Sequence, residues 1–318
     1  MTKRNFQYDT MKGILILLVL LGHCLEQFEG GEMIYRIIYS FHMPAFIFVS
    51  GYFAKYNAKR ILSNFIVPYI LFQTIYRYLD AAYFHPENEF TLQFTTPYWT
   101  LWYLLVMILF SITIPFISQE KTWLQSMTLL ITVAISLFVG YDTTIGYYLA
   151  LSRYFVFLPF FIWGYYSKNN SSFLPASNTS FQKVFLFILL ILSFSFVCAT
   201  KNIPTKAFYG AYAYEKLGYQ LQTRLIIMLI AVIGIFFLHA IIPDKKIPFI
   251  TSLGQHTFPV YLMHSGCILT AKKIGLFQFS TIENIIITLG LMIAICSIFG
   301  NKYFDKFFRM LLIHPSNK

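Results

Sequence analysis

The sequence predicts an all-α integral membrane protein, a bundle of about ten transmembrane helices with both termini cytoplasmic. Three observations carry this. Only 12% of the 318 residues are charged, while 57% are hydrophobic and 19% aromatic. A soluble globular chain has about 25% charged residues. Length alone would suit two soluble domains of ~150 residues each, but so few charges cannot coat two water-facing surfaces. Mean hydropathy is +0.62, and the apolar residues gather into stretches of ~20, the length that crosses a bilayer core. Finally, the basic residues divide unequally between the loops.

The ten stretches lie near 13–30, 34–54, 61–83, 100–118, 123–140, 147–166, 182–200, 222–242, 254–271 and 282–300. The first follows Lys3, Arg4 and Lys12 and reaches Gly22-His23-Cys24 with no small-residue cleavage site, so it reads as a retained helix. The second contains Pro44, which frees a carbonyl one turn earlier and kinks the helix. The third carries Arg77 and Asp80 near its end. The fourth opens beside Trp99, Trp102 and Tyr103, first of all an aromatic belt at the membrane edge. The sixth holds Arg153; the ninth holds His256, Pro259 and His264. The other four rest on length and apolarity.

With ten spans the termini share a side. That side collects fifteen of the 24 Lys/Arg and four of the 13 Asp/Glu, leaving nine of each elsewhere. The whole net charge of +11 therefore sits on one face. Lys/Arg excess marks the cytoplasmic face, so a multi-pass cell-membrane protein is expected. Topology and anionic membrane lipid account for the basic face without nucleic acid. The longest loops, near 84–99, 167–181 and 201–221, leave no room for a soluble domain, and residues 1–318 read as one polytopic unit. Cys24, Cys198, Cys267 and Cys296 form no CxxC pair, against a zinc ribbon or disulfide framework. Pro44 to Gly51-Tyr52 weakly echoes Pro159 to Gly164-Tyr165. The unequal spacing makes it poor support for a transporter repeat.

Ionisable residues inside apolar spans are costly and point to function. His23 lies eleven residues beyond Lys12, or ~16 Å deeper along a helix. His42 lies about eight residues into the second span, or ~12 Å. Two antiparallel helices joined by a short loop bring both imidazoles to one level. A neutral imidazole also serves simply to bond a neighbouring helix, for ~0.6 kcal/mol. Glu26, three residues after His23, shares its helix face and would orient the ring. Asp9 suits a helix start and pairs one turn on with Lys12, giving either a capped helix or a cationic mouth for a phosphorylated donor. Arg153 either snorkels outward or faces a polar cavity.

These residues also carry a resemblance. Asp9-x-x-Lys12-Gly13-Ile14, running to Gly22-His23, resembles the opening of the acyltransferase-3 family of membrane acyltransferases. Phe41-His42-Met43-Pro44 through Ser50-Gly51-Tyr52 is similar to its second-helix signature. Trp102-Tyr103-Leu104, Ser152-Arg153-Tyr154 and Tyr261-Leu262-Met263-His264 resemble the branch related to fucose 4-O-acetylases. The resemblance implies a ten-helix acyltransferase domain that moves an acyl group, usually acetyl from cytoplasmic acetyl-CoA, onto sugars of surface polysaccharides. It places Lys12 at the family's basic position, His23 at its histidine and Arg153 at its arginine. The usual basic residue is arginine, and lysine lacks its planar fork. Some relatives add a C-terminal esterase-like domain; here the sequence ends after the tenth stretch.

The expected chemistry is acetyl transfer to a hydroxyl of a surface glycan or lipid-linked sugar. His23 is the base, Glu26 its support, and Asp9 and Lys12 the donor site. His42, Arg153, His264 and Trp102 bind the acceptor or the oxyanion. Acetyl-CoA is donor rather than resident cofactor, and no metal is called for. Two rivals stand beside this. A transporter or flippase for a lipid-linked or surface sugar also places His, Arg and Glu at mid-membrane. A metal protein would use His23, Cys24, His42 and His264, but adjacent His23 and Cys24 point to different helix faces.

Overall fold

The computed structural model describes residues 5–87, 89–118, 120–174 and 179–312. Lys3, Arg4 and Lys318 of the charge count, and 175–178 of the 169–180 linker, lie outside these. Among the described residues every regular element is helical. The principal helices are α1 (Phe6–Leu25), α2 (Glu32–Phe53), α3 (Val67–Leu79), α4 (Trp102–Ile117), α5 (Thr122–Phe138) and α6 (Leu151–Ser167). They continue as α7 (Ser180–Ala199), α8 (Leu221–Ile241), α9 (Pro248–Gln255), α10 (Thr257–Lys273), α11 (Thr281–Phe299) and α12 (Lys302–Leu312).

Among the described residues, seven helical segments are long and apolar enough to cross a membrane: Phe6–Leu25, Glu32–Phe53, Trp99–Ile117, Thr122–Tyr141, Ser180–Ala199, Leu221–Ile241 and Thr281–Phe299. The other three predicted stretches coincide with shorter or interrupted helices. α6 and α10 have 17 residues each, and α3 is flanked by π-type turns at Leu62–Ile66 and Asp80–Phe84. α5, α7 and α11 turn apolar side chains outward. α1, α2 and α6 form the buried centre.

α1 starts seven residues before the apolar stretch does. Asn5 caps it by accepting from the N–H groups of Gln7 and Tyr8, so Asp9 stands in the first turn instead of at the cap. The polar opening is buried because it has partners: Gln7 donates to the His239 and Ile242 carbonyls at 2.7 and 2.8 Å. Thr10 meets Thr251 at 2.8 Å.

Two helix seams close on glycine. A Cβ on Gly51 would lie 2.0 Å from the Phe161 carbonyl oxygen, and one on Gly164 1.9 Å from that of Phe48. Between α1 and α9, Gly13 and Gly254 would meet the Ile250 and Asp9 carbonyl oxygens at 2.1 and 1.7 Å. Small residues of this kind let membrane helices approach backbone to backbone. The Pro44–Gly51 and Pro159–Gly164 echo is thus a contact, its two segments packing on each other.

The loop before α8 is pinned across the end of the bundle by two buried arginines. Arg36 donates to the carbonyls of Val197, Thr200 and Ile203 and to the Thr205 hydroxyl, at 2.7–3.2 Å. Arg224 donates to the Ser136 and Tyr212 carbonyls and the Tyr219 hydroxyl. Such charged donors satisfy carbonyls that a helix end or loop leaves open.

Candidate active site

The end of α1 opens into two adjoining cavities. The deep one, about 50 Å³, is lined by Ile16, Val19, Phe46, Thr100, Tyr103 and Tyr261, with His42 and His264. The loop-side one, about 350 Å³, is lined by Glu26, Trp99, Tyr147, Arg153, Lys206 and Tyr209, among others. His23, Tyr39, Met43 and Trp102 line both. His23 therefore stands at the junction of a narrow apolar cavity and a wider, more polar one.

Its imidazole is held from one side. Nδ1 faces Glu26 Oε2 at 3.3 Å and the Tyr39 hydroxyl at 3.0 Å. An ionised carboxylate only accepts, so Nδ1 carries the proton and Nε2 the lone pair. Glu26 follows the last residue of α1. Partial burial opposes its charge, but the hydrogen bond and charge of His23, with the hydroxyls of Tyr209 and Tyr35, hold its carboxyl below the ordinary range. Tyr209 donates to Glu26 Oε1 at 3.2 Å and also bonds Tyr35. Burial first, then the Glu26 charge, push the Tyr209 phenol well up, so it remains a donor.

His42 and His264 are both buried. Each turns Nδ1 to a backbone carbonyl, Ile38 at 2.7 Å and Tyr261 at 2.6 Å. A carbonyl requires a donor, which leaves Nε2 of each as a lone pair. His264 Nε2 is buried without a partner, and the His264 and His23 ring centres are 5.5 Å apart. Arg153, 6% exposed, lies between the rings of Trp102 and Tyr147, 4.7 and 4.9 Å from their centres. Among the described residues three non-glycine residues take left-handed φ: Trp99 (32°), which lines the loop-side cavity, and Leu149 (49°) and Ala150 (53°), which fall in sequence between its lining residues Tyr147 and Arg153. Backbone in this region is strained and persists where the surroundings dictate it.

The structure thus gathers His23, Glu26, His42, Trp102, Arg153 and His264 around the two cavities. Asp9 and Lys12 lie towards the other end of α1 and line neither. Lys12 Nζ is 3.0 Å from Asp9 Oδ1 and 4.7 Å above the Phe53 ring, and Asp9 Oδ2 accepts from Gln255 at 3.2 Å. Sequence reasoning missed Tyr39, Tyr147, Lys206 and Tyr209. Tyr39 sits three residues before His42, the one spacing signal available.

The family model described as Acyltransferase domain, that of acyltransferase-3, matches residues 5–300. The chain belongs to the acyltransferase-3 family. Two of its relatives are nodulation proteins NolL. The protein from Sinorhizobium fredii (strain NBRC 101917 / NGR234) is 29% identical over 129 residues, covering 33% of this chain and 35% of its own. That from Mesorhizobium japonicum (strain LMG 29417 / CECT 9101 / MAFF 303099) is 26% identical over 147 residues, 39% of either chain. The matches thus span little more than a third of those relatives. No solved structure matches the chain. The chain is thus an acyltransferase-3 family member with seven helices of membrane-spanning length among its described residues.

Proposed function

We propose that this protein is an acyltransferase, specifically an O-acetyltransferase of the cell membrane, moving acetyl from cytoplasmic acetyl-CoA to a sugar hydroxyl of a surface polysaccharide or its lipid-linked precursor. The position of His23 between the two cavities carries the reading. It serves a donor arriving through the apolar side and an acceptor held on the loop side. In the proposed arrangement ten helices cross the membrane with both termini cytoplasmic, and the Lys/Arg asymmetry supports this.

His23 Nε2 takes the acceptor hydroxyl proton as that oxygen attacks the thioester carbonyl. The carbon–sulfur bond then breaks, and the imidazolium returns the proton to the CoA thiolate. Glu26 fixes the tautomer that makes Nε2 basic and supports the transient imidazolium. The Tyr39 hydroxyl, which accepts from Nδ1–H, has its own proton to offer the tetrahedral oxyanion. His42 and His264 line the deep cavity next to His23. Their lone pairs therefore suit accepting a hydrogen bond from the one acceptor hydroxyl that reaches past His23 to react, rather than holding the body of the acceptor or stabilising an oxyanion. Trp102, lining both cavities, forms a wall where donor and acceptor meet. Lys12, steadied by Asp9, meets a CoA phosphate at the far mouth. The resemblance to the fucose 4-O-acetylase branch supports acetyl as the acyl group.

The test uses membranes holding wild type, His23→Ala or Tyr39→Phe at matched abundance, with labelled acetyl-CoA and native envelope glycan. Label on the glycan is expected with wild type and absent with His23→Ala. Tyr39→Phe should lower kcat about 10²-fold, the scale of losing one oxyanion donor, with KM little changed. Label transfer that persists without His23 overturns the mechanism. No transfer by wild type overturns the function.

A further inference from the structure

We infer that the acceptor held in the loop-side cavity carries an anionic group, a carboxylate or a phosphate, seated against Arg153 and Lys206. That the anion belongs to the acceptor rests on the acetyl-transfer reading above. Three buried arginines can be compared. Arg36 has four hydrogen-bond acceptors and Arg224 has three, and neither lines the two cavities. These donors are consumed in holding backbone. Arg153 is similarly buried yet has one backbone acceptor, the Tyr209 carbonyl 3.2 Å from Nε, and one side-chain partner, the Tyr147 hydroxyl. Its guanidinium faces are covered by Trp102 and Tyr147, and it lines the cavity.

A buried guanidinium without a counter-ion is unfavourable, and among the described residues no carboxylate forms an ion pair with it. Its planar fork matches a carboxylate or phosphate in two parallel hydrogen bonds. Lys206, exposed on the pinned loop, lines the same cavity. The one carboxylate lining this cavity, Glu26, is engaged by His23 and Tyr209. Two cations against one occupied carboxylate leave the cavity cationic and open on the side that an acceptor enters.

The test titrates the purified full-length protein with three probes, following fluorescence of Trp99 and Trp102. The probes are a tetragalacturonide, the same oligomer with its carboxyls reduced, and a phosphate-bearing galactose oligomer. A charged probe is expected to bind roughly tenfold to a hundredfold tighter than the neutral one, as for hydrogen bonds to charged groups. Arg153→Gln should erase that preference, and Lys206→Ala should weaken it and its salt dependence. The tighter of the two charged probes identifies the source of the anion. Equal binding of charged and neutral probes, or a preference untouched by either variant, overturns the proposal. Lys206 is exposed, so its variant stands if Arg153→Gln fails to fold. Labelled acetyl transfer is scored separately. Anion preference without any transfer to envelope glycan refutes the acetyl-transfer reading, and transfer without anion preference refutes the anionic acceptor.

Discussion

At the scale of single residues, the hydrogen bonds of Glu26 govern how the site responds to pH. Its carboxyl is depressed in the folded protein. The stability it confers is therefore complete above the ordinary carboxylate range and lost only as pH falls through the lowered value. The melting-temperature gap between wild type and Glu26→Gln should accordingly be constant near neutrality and shrink only in acid below the ordinary glutamate range. A gap that closes at or above that range contradicts the assigned partners. His23, Glu26, His42, Arg153 and His264 were legible in the sequence because ionisable groups stand out among apolar neighbours. Tyr39, Tyr147 and Tyr209 did not stand out. In a chain with 23 tyrosines, each is as readily an interfacial anchor, and only packing shows which hydroxyl reaches a working side chain.

At the scale of elements, the glycine seams fix where helices meet. Gly254→Ala would set a Cβ 1.7 Å from the Asp9 carbonyl oxygen, beyond anything a rotamer can relieve. A loss exceeding the ~1–3 kcal/mol of ordinary overpacking is expected, read as a fall in melting temperature and in monodisperse yield. Gly290→Ala, with nothing within 4 Å, is the control and should gain up to ~1 kcal/mol of helix propensity. Equal behaviour of the two would refute the seam. Every predicted apolar stretch coincides with a helix, yet α6 and α10 fall short of membrane length at 17 residues each. These same two helices carry Arg153 and His264. Their shortness, rather than any lack of apolar residues in α6, is what separates them from the seven longer helices. Asp9 marked the start of α1 in the sequence, but the turn before it did not stand out: Gln7 looks like a loop residue, as Thr10 does, until α8 and α9 supply their partners.

At the scale of the whole molecule, the two cavities differ in what they admit. The loop-side cavity is bordered by exposed Glu26 and Lys206, while the deep one ends among buried side chains at the level of Ile16 and Phe46. Voltage across a membrane falls where the material is dry. In the proposed topology the drop is therefore concentrated over the apolar side of this bundle, and His23 lies near the electrical potential of the loop-side solution. Proton exchange with its imidazole follows the same route. In sealed vesicles, the transfer rate should track the pH of the loop-side solution and stay unchanged when a potassium diffusion potential is imposed. A rate that tracks the pH of the opposite compartment would place the imidazole across the field instead. In the proposed reaction, the buried apolar end of the deep cavity works as an insulator, denying protons a conductive path across an energised membrane while the chemistry proceeds beside it.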